Sequence, residues 1–128
     1  MAGDPIEGQV LVLTAAKASV PPERLPTLVD RAQALLGPAL ERYRREYERC
    51  YADEELEVFL VEWGHWEELA TDLDLSERER SAVRRAHEEQ LLRIGRRTDR
   101  EAALETALEI REPVCIGTGD VRDDRVEN

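Results

Sequence analysis

Lysine is nearly absent from this chain of 128 residues. Lys17 is the only lysine, so the other cationic side chains are arginines, and in all 18 basic residues stand against 29 acidic ones. The resulting net charge of −11 repels phosphate backbones and anionic lipid headgroups. We therefore expect neither nucleic acid nor a membrane as the partner.

Long apolar runs are also missing. No run approaches the roughly 20 residues that a helix needs to cross a bilayer. The first residues, MAGDPIEGQ, lack the basic region that precedes the apolar core of a secretion signal. The sequence therefore predicts a cytoplasmic location.

Cysteine is scarce, and its spacing excludes two kinds of site. Cys50 and Cys115 are the only cysteines, and they lie far apart without CxxC spacing. This spacing excludes a zinc knuckle and a dithiol redox motif. In the cytoplasm we expect two reduced thiols, at least one of them buried as a small apolar group.

The motifs of several enzyme classes do not occur. The chain has no Gly-rich phosphate loop, no G-x-S-x-G, no H-E-x-x-H and no cysteine near a histidine in sequence. Its many carboxylates carry little information, because most must be solvated in so acidic a chain. We therefore predict a protein that is not an enzyme, with no catalytic residue and no cofactor.

Helical periodicity dominates the first half of the chain. Apolar residues recur at helical spacing from Pro22 to Cys50, and Gly37-Pro38 interrupts them, which predicts two helices or one kinked helix. Val10 to Leu13 has the composition of a strand but also fits a helical stripe with Ile6 and Val20, and we favour the helix.

The second half predicts three more helices. Apolar residues between Asp53 and Leu73 fall on two sides, a pattern typical of a central helix in a bundle. Ser76 with Glu79 forms a capping box that begins the next helix, with Gly95 as a candidate end. The same spacing at Thr98 and Glu101 begins a shorter helix that runs to Leu108. The inner face of the helix from Ser76 to Ile94 comprises Val83, Ala86, His87, Leu91 and Ile94.

These patterns together predict the fold class and the domain limits. We predict an all-α protein, a compact bundle of four to five helices in one domain over residues 1–116. Alternating apolar residues surround Pro113, at Leu108, Ile110, Val114 and Ile116. They predict a short extended segment, either an edge strand or an arm over the helices. Residues 117–128 predict a flexible acidic tail.

The stretch from Val61 to His87 contains both tryptophans and both histidines of the chain. Because other aromatic residues are few, Trp63 and Trp66 are predicted to anchor the core. Gly64 between them predicts a close helix contact or a kink. His65 and His87 are predicted to approach each other between consecutive antiparallel helices, without holding a metal.

A metal site is the first alternative for this stretch. Glu62 and His65 have the E-x-x-H spacing that places both side chains on one side of a helix. The stretch resembles di-iron helical bundles only in part, because such bundles need a second E-x-x-H motif and Arg84 stands three residues before His87. A single site built from Glu62, His65 and His87 is the metal-binding alternative.

A DNA-binding helix pair is the second alternative. Leu69-Ala70, Leu73 and Leu75-Ser76 resemble helix-turn-helix proteins, which implies a recognition helix beginning at Ser76. The candidate DNA contacts would be Arg78, Arg80, Arg84 and Arg85. Asp74 replaces the usual turn glycine, and Glu88 and Glu89 lie one turn beyond two of these arginines. The same pattern also resembles death-fold interaction domains, which bind proteins.

The composition resembles that of small acidic proteins from halophilic archaea. The resemblance implies a surface of hydrated carboxylates in a cytoplasm that holds molar salt. Within it we predict a protein-interaction module that binds an unknown protein or itself. The candidate interfaces are the helix YRREYERCY and the apolar C-terminal segment, because Tyr and Arg are frequent in interfaces.

Overall fold

The computed structural model describes residues 5–118, and over this range the chain is mixed α/β. The predicted all-α bundle is therefore wrong, because a three-stranded sheet lies among the helices. The described range contains six α-helices and three strands: α1 (Gly8–Ala18), α2 (Arg24–Leu36), α3 (Leu40–Glu46), β1 (Glu48–Ala52), β2 (Leu56–Glu62), α4 (His65–Leu73), α5 (Glu77–Thr98), α6 (Glu101–Leu108) and β3 (Arg111–Gly117).

Strand β2 is the centre of the sheet and explains the wrong prediction. The strand order is β1-β2-β3, with both pairs antiparallel. Leu56, Val58 and Leu60 face one side, and Phe59 and Val61 face the other. Both sides of β2 are covered, so Val58–Val61 form an uninterrupted apolar run. Glu57 is buried in the same strand, where it pairs with Arg44 and Arg49. A pattern with two apolar sides therefore belongs to a central strand, and the predicted helix from Asp53 exists only from His65 onward.

Each face of the sheet carries its own apolar cluster. Phe59 and Val61 pack with residues from α1, α2, α4 and α5 in the larger cluster. Leu56, Val58 and Leu60 pack with Leu91 and Ile94 of α5 and with Leu104 of α6 in the smaller one. Helix α5 contributes to both clusters, and it therefore joins the two faces of the fold.

The helices before the sheet follow the sequence pattern closely. Val10 to Leu13 lie in α1, so the predicted helix is confirmed there. Gly37–Ala39 forms a 3-10 turn between α2 and α3, which confirms the break at Gly37-Pro38. The helix predicted to run to Cys50 is wrong beyond Glu46, because Glu48 to Ala52 pair with β2 as strand β1.

The long helix α5 begins and packs as predicted. The Ser76 side chain accepts the Glu79 backbone N–H, and the Glu79 carboxylate accepts the Ser76 backbone N–H, which confirms the capping box. The predicted inner face is buried throughout, at Val83, Ala86, His87, Leu91 and Ile94. Gly95 does not end the helix; a Cβ there would lie 3.0 Å from Glu101 Cα, so the glycine lets α6 approach α5.

Strand β3 has its outer edge satisfied by side chains instead of another strand. The Gln33 amide donates to Cys115 O and accepts from Gly117 N, and His87 Nδ1 accepts from Cys115 N. Trp66 Nε1 donates to Pro113 O over 2.9 Å. The predicted extended segment is thus an edge strand from Arg111 onward, whereas Leu108 ends α6. Backbone groups on the outer edge of this strand form hydrogen bonds with side chains of α2, α4 and α5.

The ends of the described range bear on the remaining predictions. Gly117, where the tail was predicted to begin, is the last residue of β3, and Thr118 N donates to Glu55 O over 2.8 Å. The rest of the predicted tail, from residue 119, lies outside the described residues. Within residues 5–118 no helix has both the length and the apolar character required to cross a bilayer.

Candidate functional site

The turn between β2 and α4 places the two tryptophans in opposite environments. Trp63 and Gly64 connect the strand to the helix, and Gly64 has a φ of 99°, a left-handed conformation that favours glycine. A Cβ at Gly64 would meet nothing within 4 Å, so the turn's backbone conformation, not a close contact, calls for glycine here. Trp66 is fully buried, whereas the Trp63 side chain is 60% exposed. The predicted core position is therefore confirmed for Trp66 and wrong for Trp63.

A buried carboxylate from β3 caps helix α4. Glu112 accepts the backbone N–H of Gly64 over 3.0 Å and that of Trp66 over 2.9 Å, although only 2% of Glu112 is exposed. These are N–H groups that the first turn of a helix leaves without a partner, and the helix dipole favours a negative charge there. Because the Gly64 N-cap has no side chain, Glu112 fixes the start of α4 and the orientation of the turn.

Arg84 of α5 joins this network to the exposed tryptophan. Its Nη1 lies 3.6 Å from a Glu112 carboxylate oxygen, and its Nε lies 3.6 Å from Glu88. Its guanidinium carbon also lies 5.4 Å from the centroid of the Trp63 ring, a cation–π distance. Burial raises the pKa of Glu88 above its usual value. The Arg84 charge is thus shared between two carboxylates and one aromatic ring.

An open cleft of about 470 Å³ lies beside this turn. It is lined by three glutamates, three aromatic or imidazole rings, a threonine and Gly64: Glu62, Glu67, Glu68, Tyr47, Trp63, His65 and Thr71 with Gly64. None of these eight residues is arginine or lysine. The cleft therefore combines exposed ring surface with a concentration of negative charge, and we call it the acidic aromatic cleft.

His65 forms part of the cleft wall as a neutral ring. Its Nε2 lies 2.6 Å from the Tyr43 hydroxyl, and its ring packs edge-on against Tyr43 and Tyr47 at centroid distances of 5.6 and 5.3 Å. Burial lowers the His65 pKa from its ordinary value of 6.5, although Glu68 acts in the opposite direction. Because the imidazole is uncharged at neutral pH, it does not offset the glutamates.

The three residues of the metal-binding alternative do not come together. Glu62 ends β2 and His65 begins α4, so the E-x-x-H pair spans a turn and does not share a helix face. His87 and His65 have different contacts. His87 Nδ1 accepts a hydrogen bond from Cys115 N, and the centroid of its ring lies 4.6 Å from that of Trp66. Among residues 5–118, no group of three or more His, Cys, Asp or Glu side chains is placed to hold a metal ion.

His87 is a buried neutral imidazole with a fixed tautomer. Because Nδ1 accepts the Cys115 N–H, the ring proton is on Nε2, where no acceptor among the described residues forms a hydrogen bond. Complete burial lowers its pKa from 6.5 to about 3. Between pH 6.5 and about pH 3, therefore, the His87 ring is neutral in the folded protein but protonated in the unfolded chain.

This difference predicts an acid-sensitive stability. Between pH 6.5 and pH 3 the unfolded state binds more protons at His87, so acidification lowers the free energy of unfolding. For a fully buried group the loss from pH 7 to pH 5 is about 2 kcal/mol. The lowered pKa of His65 acts in the same direction, and the raised pKa of Glu88 opposes both. Urea unfolding at the two pH values measures the loss.

The matched variant for this test is His87→Gln, which removes the titrating group at the same position. We expect it to lower stability at pH 7 but to remove most of the difference between pH 7 and pH 5. Carboxylates with lowered pKa values, such as Glu57, lose their contribution only below their ordinary pKa of 4.5, outside this window. An undiminished difference in the variant would assign the acid sensitivity to another group.

The helix pair of the DNA-binding alternative is present, but its arginines differ in accessibility. Asp74 between α4 and α5 has a φ of 57°, the conformation that a turn glycine would adopt. Arg78 and Arg85 are exposed, whereas Arg80 and Arg84 are partly buried. Arg84 forms the expected pair with Glu88 as well as the contacts described above. The helix-turn-helix resemblance stays a prediction.

The thiols lie outside the cleft and are protonated at neutral pH. Cys115 of β3 is fully buried and Cys50 of β1 partly so, which confirms that at least one thiol is buried as a small apolar group; the two are not joined to each other. Burial raises the pKa of Cys50 to about 11 and that of Cys115 further. Neither is therefore a thiolate at neutral pH.

Four residues of the site were not singled out from the sequence. Glu112 reaches the turn from β3, Thr71 lies on α4, and Glu67 and Glu68 were treated among the many solvated carboxylates. Tyr47 lies in the segment YRREYERCY, which was predicted as a candidate interface. One signal was available: Trp63-Gly64 lies one residue after the apolar run that ends at Val61 and two residues before the acidic pair Glu67-Glu68, a combination typical of a strand–turn–helix connection.

Comparison with known proteins gives one family. A family described as a domain of unknown function (DUF8048) matches residues 4–118, which includes all elements described above. No curated protein and no solved structure matches the chain.

Proposed function

The chain belongs to the DUF8048 family, and we propose that it is a non-catalytic protein-interaction module whose acidic aromatic cleft binds a basic segment of a partner protein. The observation that carries this proposal is the contrast at the β2–α4 turn. Trp63 is 60% exposed at the cleft, three residues before a tryptophan that is fully buried. Tryptophan is among the residues that most often dominate binding energy in interfaces.

Charge complementarity supports a basic partner. Three glutamates line the cleft, its histidine is neutral, and the whole chain carries a net charge of −11. Such a surface attracts a cationic segment and repels a second copy of the chain. We therefore favour a different protein over self-association as the occupant.

The proposed setting is a salt-adapted cytoplasm. The single lysine and the large acidic excess support this setting, because hydrated carboxylates keep a protein in solution at high salt. In molar salt the screening length is only about 3 Å, so charge attraction alone is weak. Apolar and stacking contacts with Trp63 would then supply most of the affinity.

The test is recovery of the partner with matched variants. We expect the tagged wild-type protein, used as bait in molar KCl, to retain a protein that Trp63→Ala loses. The control is Val12→Ala on α1, because Val12 is 61% exposed and lies outside the cleft. Quantitative mass spectrometry of the retained proteins gives the ratio of wild type to variant, which we expect to exceed roughly tenfold for a tryptophan that dominates the interface.

Two results would contradict the proposal. Equal retention by the wild type and Trp63→Ala would place the interface on another surface. If the bait retained DNA, and if this retention depended on Arg78 and Arg85, the result would favour the helix-turn-helix alternative, in which α5 binds the nucleic acid.

A further inference from the structure

We infer that the group recognised by the acidic aromatic cleft is the guanidinium of an arginine side chain, in preference to a lysine ammonium. This inference rests on the proposed function and names the chemistry of its partner. It depends on which rings and carboxylates line the cleft, and on an internal contact that places a guanidinium against Trp63.

The internal contact is that of Arg84. Its guanidinium carbon lies 5.4 Å from the centre of the Trp63 ring, while its nitrogens lie 3.6 Å from Glu112 and Glu88. One side of the turn thus combines an aromatic face with carboxylates around a planar cation. The cleft is lined by the same kinds of group, with Trp63, Tyr47 and His65 as rings and Glu62, Glu67 and Glu68 as carboxylates.

Arginine fits this combination better than lysine for a physical reason. The guanidinium is planar and weakly hydrated, so it stacks on aromatic rings and can donate two parallel hydrogen bonds to a carboxylate. The lysine ammonium is compact and strongly hydrated and interacts mainly as a point charge. At high salt the point-charge attraction is screened, whereas stacking is not.

Two arginines, Arg84 and Arg111, pair with carboxylates that do not line the cleft. Arg84 is held by Glu112 and Glu88, and Arg111 pairs with Glu48 at 2.6 Å. Glu62, Glu67 and Glu68 are exposed at the cleft, and no arginine or lysine lines it. A second open cleft shares Glu67 and Thr71 with the first, so a bound segment has room to continue past α4.

The test uses three peptides that differ in one side chain: acetyl-Gly-Ser-X-Ser-Gly-amide, with arginine, lysine or the uncharged arginine analogue citrulline as X. The indole N–H signal of Trp63 in the NMR spectrum reports binding. That of Trp66, which donates to Pro113 O, is the internal reference. We expect the arginine peptide to shift only the Trp63 signal, with an affinity roughly fivefold above that of the lysine peptide. Citrulline is expected to give no saturable shift.

A charge-matched pair of variants locates the site. The double variant Glu62→Gln/Glu67→Gln is expected to lower the affinity for the arginine peptide. The control is Glu105→Gln/Glu109→Gln, which removes two exposed carboxylates in α6 and at its C-terminal end and is expected to leave that affinity unchanged. Equal affinities for arginine and lysine, or no Trp63 shift with any peptide, would overturn the inference. Either result leaves the proposed function standing if the native partner still depends on Trp63. Loss of that dependence would remove the function itself.

Discussion

Trp66→Ala is expected to lower the free energy of unfolding by about 3–5 kcal/mol, whereas Trp63→Ala is expected to change it by less than about 1 kcal/mol. Trp66 is fully buried and packs against His87 at a ring distance of 4.6 Å. Its truncation leaves a cavity and removes the hydrogen bond to Pro113 O. Trp63 is mostly exposed, so its loss exposes little apolar surface. Guanidinium unfolding of both variants measures the contrast.

Trp66→Phe separates the two contributions of Trp66. Phenylalanine keeps most of the apolar volume but lacks the indole N–H, so Pro113 O loses its donor. We expect a loss of unfolding free energy smaller than that of Trp66→Ala, because an unpaired buried polar group costs about 1–3 kcal/mol. A Trp63→Ala variant as unstable as Trp66→Ala would show that Trp63 is a core residue, as its sequence position first predicted, and that it is not free to bind a partner.

Glu112→Ala is expected to destabilise the fold by about 3 kcal/mol or more. The substitution leaves the N–H groups of Gly64 and Trp66 without their acceptor, and it removes a carboxylate beside Arg84. Breaking a buried ion pair by removing one partner is costly because the remaining charge is left uncompensated. Denaturant unfolding, followed by the fluorescence of the two tryptophans, measures the change.

Two controls define the role of Glu112. Glu112→Gln keeps an acceptor oxygen of similar shape and is expected to lose less than the alanine variant. Glu105→Ala removes an exposed carboxylate of α6 and is expected to have little effect. If the glutamine and alanine variants were equally unstable, the charge and not the hydrogen bonding would account for the effect. A stable Glu112→Ala would mean that α4 does not need this cap.

The helices of this protein follow from local patterns, and most could be predicted for that reason. The capping box at Ser76 and Glu79 depends on residues three apart in sequence. The break at Gly37-Pro38 follows from the missing backbone donor of proline. The inner face of α5 follows from a spacing of three and four residues. Each of these features is encoded within one or two turns of the chain.

The sheet could not be predicted in the same way, because its central strand hides its periodicity. A strand with one exposed face alternates apolar and polar residues, but β2 is buried on both sides and contains the uninterrupted apolar run Val58–Val61. Such a run also suits a buried helix. Its identity as a strand depends on pairing with β1 and with β3, whose residues lie up to 61 positions away in the pairing of Leu56 with Gly117.

Part of the site could be predicted from the sequence. The stretch from Val61 onward was identified by its tryptophans and histidines, and the cleft does lie there. Its interpretation failed at Gly64, because a helix interior was assumed where the backbone turns with a positive φ. The cap from Glu112 joins residues 46 and 48 positions apart, so nothing local in the sequence indicates it.

The central claim is that Trp63 lies in the interface with the partner, and hydroxyl-radical footprinting of the purified complex tests it most directly. Mass spectrometry gives the oxidation rates of the two tryptophans and of Val12, with buried Trp66 as the reference in the free and bound states. We predict that Trp63 is oxidised readily in the free protein and is protected in the complex, while Val12 keeps its rate. An unchanged rate at Trp63, with protection at Val12 or at another surface, would contradict the account.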